Sequence, residues 1–120
     1  MRQLTRAEEE VMQLLWQKGK ARVAEIIEDM PEPKPAYNTT STIVRILEDK
    51  GFVDHEKAGR GFKYFPLVDK DTYQKATMDK MVNSYFEGSF KNMVSFFVKE
   101  KNMSAKDLES ILKELDKTKD

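Results

Sequence analysis

Apolar residues recur at helical spacing near the start of the chain, where Val11, Met12, Leu15 and Trp16 form one stripe. Ahead of it, Thr5-Arg6-Ala7-Glu8 is a capping box. The Thr5 hydroxyl accepts from the Glu8 amide while the Glu8 carboxylate reaches back. Gly19 supplies the stop. A short second helix is predicted over 21–29, with Val23, Ile26 and Ile27 on its buried side. It must end at Met30-Pro31-Glu32-Pro33-Lys34-Pro35, because proline lacks an amide donor and locks φ. A third helix, capped by Asn38 or Thr39, runs to about Lys50 and is ended by Gly51; its apolar stripe is Thr40, Ile43, Val44 and Leu47. Two short segments rich in aromatic and β-forming residues follow, 52–56 and 62–67. They bracket Lys57-Ala58-Gly59-Arg60-Gly61, so the pair reads as a β-hairpin.

From Asp69 the pattern changes. Met78, Met81, Val82, Tyr85, Phe86, Phe90, Met93, Val94 and Phe97 keep a three-to-four-residue spacing across two helical stretches that Gly88 divides. Ser104-Ala105-Lys106-Asp107 opens a last helix with Leu108, Ile111, Leu112 and Leu115 on one side. The predicted organisation is an N-terminal unit, 1–68, and a helical unit, 69–120. Between Tyr73 and Phe97 the second unit carries Tyr73, Tyr85, Phe86, Phe90, Phe96 and Phe97 together with three methionines. That is more apolar surface than a few helices hide within one chain, so a partner chain is expected. The competing reading folds this stripe back onto the 1–68 core.

Composition narrows the chemistry. The chain has no cysteine and one histidine, His55, which excludes a disulfide scaffold and a Cys nucleophile and argues against a zinc site. No metal ligand set and no cofactor is expected. No phosphate loop, H-E-x-x-H or G-x-S-x-G is present. Glu8-Glu9-Glu10 and Glu48-Asp49 read as solvated helix faces, and His55 sits in a hairpin strand without a second ligand. An enzyme is not expected, nor is a small-molecule substrate. No apolar run approaches the ~18–20 residues of a membrane span, and Met1-Arg2-Gln3 does not begin a signal peptide, so the expected location is the cytoplasm.

The better signal is the third helix with its hairpin. Asn38-Thr39-Thr40-Ser41-Thr42 puts short amide and hydroxyl side chains at a helix N-terminus, where backbone amides and the positive dipole end favour phosphate. Arg45, two turns on, has the reach for guanine N7 and O6. The hairpin presents Lys57, Arg60 and Lys63 with no acid between them, and its glycines let the tip bend along a sugar-phosphate backbone. Taken singly, these are a capping run and a solvated turn. In this order within one small unit they follow winged helix-turn-helix logic, with a helix in the major groove and a β-wing on the flanking backbone. The expected DNA contacts are Asn38, Thr39, Ser41, Thr42 and Arg45, with Tyr37, Arg60 and Lys63 on backbone and wing.

The ordered set of motifs resembles the penicillinase/methicillinase repressor (BlaI/MecI-type) family of winged-helix regulators. The resemblance rests on Leu4-Thr5-x-Ala7-Glu8 with Val11-Met12 and Leu15-Trp16, on Tyr37-Asn38-Thr39-Thr40-x-Thr42, and on Leu47-x-x-Lys50-Gly51-Phe52-Val53. It continues through Gly59-Arg60-x-Phe62-x-Tyr64-x-Pro66, Phe86-x-Gly88-Ser89 and Met103-Ser104 with Leu108. It implies a mainly α fold with a small β-hairpin wing, that is, a winged helix-turn-helix followed by a helical dimerisation unit. It also implies a homodimeric bacterial repressor on double-stranded DNA bearing an inverted-repeat operator. The implied dimerisation residues are Met81, Tyr85, Phe86, Phe90, Met93, Val94, Phe97, Leu108, Ile111, Leu112 and Leu115.

The same resemblance implies release from DNA by a membrane sensor metalloprotease, which in that family cuts between Asn and Phe. Here the corresponding pair is Phe96-Phe97, so the Asn is missing. A copper-responsive branch that senses metal through Cys-x-Cys is excluded by the lack of cysteine. Ile46 stands where relatives often carry Arg.

The formal net charge is zero, and each of the two units is neutral by itself. Neutrality fits a winged-helix protein–protein adaptor, the competing class of function. It does not exclude DNA, since screening limits exposed charges to about 8–10 Å and the local field of Lys57, Arg60 and Lys63 is what a phosphate meets.

Overall fold

In the computed structural model the backbone is described for residues 1–117 and the side chains for 1–114. The element order is α1 (Arg6–Lys18), α2 (Val23–Glu28), α3 (Tyr37–Asp49), β1 (Val53–Ala58), β2 (Gly61–Pro66), α4 (Lys70–Tyr85), α5 (Phe90–Glu100) and α6 (Ala105–Lys117). This is the helix–helix–helix–hairpin order of a winged helix followed by three further helices.

Local chemistry explains most of the boundaries. Thr5 caps α1 reciprocally with Glu8: Glu8 N donates to Thr5 Oγ1 at 3.2 Å and Thr5 N donates to Glu8 Oε1 at 2.9 Å. Gly19 ends the helix at φ +80°, the left-handed conformation in which glycine has no Cβ penalty. Ser104 and Asp107 form the same kind of reciprocal pair ahead of α6. α3 differs from expectation. It starts at Tyr37, and its cap is Ala36, which has no side-chain hydrogen bond to offer. Ala36, after Pro35, already takes the extended cap conformation, so Asn38 and Thr39 are carried into the first turn. The hairpin is antiparallel, pairing Val53 with Pro66 and Ala58 with Gly61.

The chain forms two units, divided within α4 between Thr77 and Met78. The core of the first is built from Leu4, Val11, Met12, Leu15, Ala21, Val23, Ile26, Met30, Val44, Leu47, Phe52 and Val53. Tyr73 belongs to this core as well. Its ring packs edge-on against Phe52, and its hydroxyl accepts from Leu4 N. Tyr73 thus sits apart from the other aromatics of the C-terminal stretch, because the opening turns of α4 lie on the winged-helix unit. Trp16 Nε1 donates to Val68 O at 2.9 Å and fastens the segment that leads into α4.

In the second unit Val82 and Met93 are buried, and Phe86, Val94 and Leu108 are half-buried. Met81, Tyr85, Phe90, Phe96, Phe97, Ile111 and Leu112 stay exposed. Met93 is therefore used in the packing of its own chain. Leu115 lies outside the residues whose side chains are described.

Candidate nucleic-acid interface

The apolar stripe of α3 sets the orientation of its other face. Thr40, Val44 and Leu47 are buried against α1 and α2, which turns Asn38, Thr39, Thr42 and Arg45 outward. The cap residue is apolar, so among the described residues the first-turn amides of α3 have no side-chain cap. The Thr42 hydroxyl is committed internally, donating to Asn38 O at 2.9 Å.

The wing is held to the segment between α1 and α2 at two points and to α3 at a third. Ala21 and Tyr64 form a two-way backbone bridge, Ala21 N to Tyr64 O at 3.0 Å and Tyr64 N to Ala21 O at 2.8 Å. Arg22 Nη2 donates to Ala58 O at 2.7 Å, near the hairpin tip. His55 Nδ1 pairs with Glu48 in the last turns of α3, and its ring stands edge-on to Phe62 at 5.1 Å. Glu48, Asp54 and His55 bring their donor atoms within 4.8 Å of one another. His55, expected to stand alone in its strand, thus has two carboxylate neighbours: Asp54 beside it in β1, and Glu48, which the turn after α3 brings to it. The Glu48 pairing ties the end of α3 to β1.

Between helix and wing lies a cleft of about 640 Å³. Of the eight expected DNA contacts, Tyr37, Asn38, Ser41, Arg45 and Arg60 line it. Thr39 and Thr42 are exposed on α3 but do not line the cleft. Lys63 is separated from the group. It is registered opposite Glu56, and it lies near enough to Glu25 to help lower that carboxyl's pKa, after the larger effect of the hydrogen bond from the Arg22 backbone. The alternation of a strand explains this: Phe62 and Tyr64 face His55 and the cleft, so Lys63 faces away. Burial raises the pKa of the Tyr64 hydroxyl, with nearby Glu48 adding to the effect and Arg45 opposing it. The Tyr64 hydroxyl therefore remains protonated, a neutral donor in the cleft.

Sequence reasoning missed Arg22. It lines the cleft with Arg45 and Arg60, so three arginines border one concavity. Nothing near position 22 signals this, since its partner in the wing is 36 residues away. Arg22 heads a helix of only six residues, where a basic residue reads as ordinary surface.

Comparison with known proteins agrees with this geometry. The penicillinase repressor family model matches residues 4–117. The methicillin resistance regulatory protein MecI of Staphylococcus aureus strain N315 is 30% identical over 116 residues, covering 96% of this chain and 94% of that one. The penicillinase repressor of Bacillus licheniformis is 26% identical over 118 residues, covering 98% and 92%. A solution structure of monomeric Bacillus licheniformis BlaI in complex with the blaP half-operator matches with a TM-score of 0.51 and 32% identity, over 60% of this chain and 89% of that one. That family is one of repressors rather than enzymes. Among the described residues no helix is long and apolar enough to cross a membrane. A winged helix with an open α3 N-terminus and an arginine-bordered cleft, matched from end to end by one family model, belongs to the penicillinase repressor family.

Proposed function

We propose that this protein is a DNA-binding transcriptional repressor that acts as a homodimer in the cytoplasm on an inverted-repeat operator. The observation that carries the reading is the gathering of Tyr37, Asn38, Ser41 and Arg45 from α3 with Arg60 from the wing around one cleft. In this reading α3 enters the major groove. Asn38, Thr39, Ser41 and Thr42 meet phosphates and base edges near its first turns, Arg45 reads a base, and Arg60 holds the flanking backbone. Lys63, on the other hairpin face, adds to the local positive field. The relative whose solution structure holds its half-operator supports DNA as the ligand class.

The dimer is supported by the apolar residues that one chain leaves exposed: Met81, Tyr85, Phe90, Phe97, Ile111 and Leu112. A two-fold pair of such units sets its recognition helices about one DNA turn, ~34 Å, or a multiple apart. Release by a sensor metalloprotease belongs to the same proposal. Phe96 and Phe97 are exposed on α5, in the unit whose loss would separate the two readers.

The test is binding of the purified protein to a duplex carrying the inverted repeat of its own promoter, at several salt concentrations. The expected result is affinity well above that for random duplex, falling steeply with salt. Equal, negligible affinity for both duplexes would instead favour the protein–protein adaptor. Sedimentation at micromolar concentration should give twice the chain mass, and a monomer there would refute the dimer.

A further inference from the structure

The wing tip is built around a side chain from elsewhere in the fold. Its turn, Gly59-Arg60, joins β1 to β2, and two glycines flank Arg60 for two different reasons. Gly59 has φ +63°, where an L side chain is strained whatever the space around it. Gly61 has no such backbone requirement. What it has is a close neighbour: a Cβ added there would meet Arg22 Nη1 at 3.0 Å, so the guanidinium would have to give by a few tenths of an ångström while bonded to Ala58 O. Meanwhile Arg22 Nη2 donates to Ala58 O at 2.7 Å. One guanidinium therefore spans the tip, bonded to the strand that enters it and packed against the residue that leaves it. The backbone of Arg22 is itself held, donating to Glu25 Oε1 at 2.8 Å, and Ala21 beside it bridges to Tyr64.

We infer that Arg22 is a positioning residue for the wing: its guanidinium clamps the 58–61 tip so that Arg60 is presented, already ordered, at the cleft that Tyr37 and Arg45 line. Gly61 is the matching half of the device, because a side chain there would press on the guanidinium that holds Ala58. The planar fork of arginine suits this use, because two nitrogens reach two sides of a turn while the delocalised charge stays weakly hydrated. Without the clamp, a tip containing two glycines must be ordered at the moment of binding, which lowers affinity. The consequence for DNA rests on the function proposed above; the clamp itself does not.

Four full-length forms test this: wild type, Arg22→Ala, Gly61→Ala and the double variant. Each is read by amide hydrogen exchange at 58–61 without DNA and by affinity for the promoter duplex at several salt concentrations. Arg22→Ala and Gly61→Ala should each speed tip exchange and weaken binding about tenfold, the scale of ordering one backbone residue. The double variant should be no worse than Arg22→Ala, because the added methyl no longer has a guanidinium to displace. Gly61→Ala keeps every charge, and its faster tip exchange without DNA separates a loosened tip from a missing phosphate contact. Normal exchange and affinity in Gly61→Ala would overturn the inference. So would an Arg22→Ala variant whose tip exchange is unchanged and whose salt slope falls by about one, since Arg22 would then be a simple phosphate contact. If exchange responds as expected but wild type fails to bind the duplex, the clamp stands and the DNA reading falls.

Discussion

Lys50→Met tests how the recognition helix is anchored. Lys50 is the C-cap residue of α3, and its Nζ donates to Glu8 Oε1 at 2.6 Å. The side chains of Lys50 and Glu8 are 14% and 6% exposed, so the pair is close to fully withdrawn from water. Burial acts to raise the Glu8 pKa, but the Lys50 ammonium and the hydrogen bonds with Thr5 outweigh it and hold the carboxyl below its ordinary value. Methionine keeps the unbranched apolar stem and removes the ammonium, leaving a buried carboxylate with only its Thr5 hydrogen bonds. Breaking a buried pair in this way costs about 3–5 kcal/mol, against about 0–1 kcal/mol for an exposed one. The residual exposure of Lys50 points to the lower end, about 3 kcal/mol.

Trp16, the single tryptophan, packs against the first unit's core and reports its unfolding by fluorescence. With a urea slope of about 1–3 kcal/mol/M, the midpoint at pH 7 should fall by roughly 1–3 M. The sign of the pH dependence follows from the lowered pKa. In wild type the Glu8 contribution is fully present above the unfolded value, about 4.3, and is lost as pH falls through the folded value. In Lys50→Met the Glu8 pKa rises, because burial persists while its principal partner is gone. The gap between wild type and variant should therefore narrow from pH 7 to pH 4. Adding Glu8→Gln to Lys50→Met should recover most of the loss, since no buried charge remains. A loss under about 1 kcal/mol that does not change with pH would show an ordinary surface pair and refute the anchoring argument.

Three further outcomes are expected. Arg45→Ala should weaken binding to the operator by about 1–3 kcal/mol and relax specificity at one position per half-site; equal loss on random duplex would reduce Arg45 to a phosphate contact. Arg60→Ala should weaken both duplexes alike and make the salt slope shallower by about one, and an unchanged slope would remove the wing tip from the interface. Among the described residues, Thr40 Oγ1 is a buried hydroxyl with no hydrogen-bond partner. Thr40→Val, nearly the same shape, should raise stability by about 1 kcal/mol in the urea assay, and a loss would show that the hydroxyl is satisfied in solution.

Much of this protein was legible from residues a few positions apart. The Thr5–Glu8 box, the stop at Gly19, the proline segment after α2 and Gly59 in the wing turn each act on their own stretch of backbone, through dihedral limits and donors one turn away. The buried face of α3 followed from its period, and with it the outward display of Arg45. The exception at the start of α3 has the same local character. Ala36 took the cap conformation ahead of two better capping residues, so the helix start was not decided by side-chain capping preference.

What periodicity does not contain is the packing of elements against one another, which only the tertiary structure decided. It placed Tyr73 in the first unit's core, paired Glu8 with Lys50 across 42 residues, and brought Glu48 to His55. It put Arg22, 36 residues from Ala58, at the wing tip. Each of these depends on the angle and distance at which two separately legible elements meet. That is set by the whole core at once, and no window of sequence encodes it.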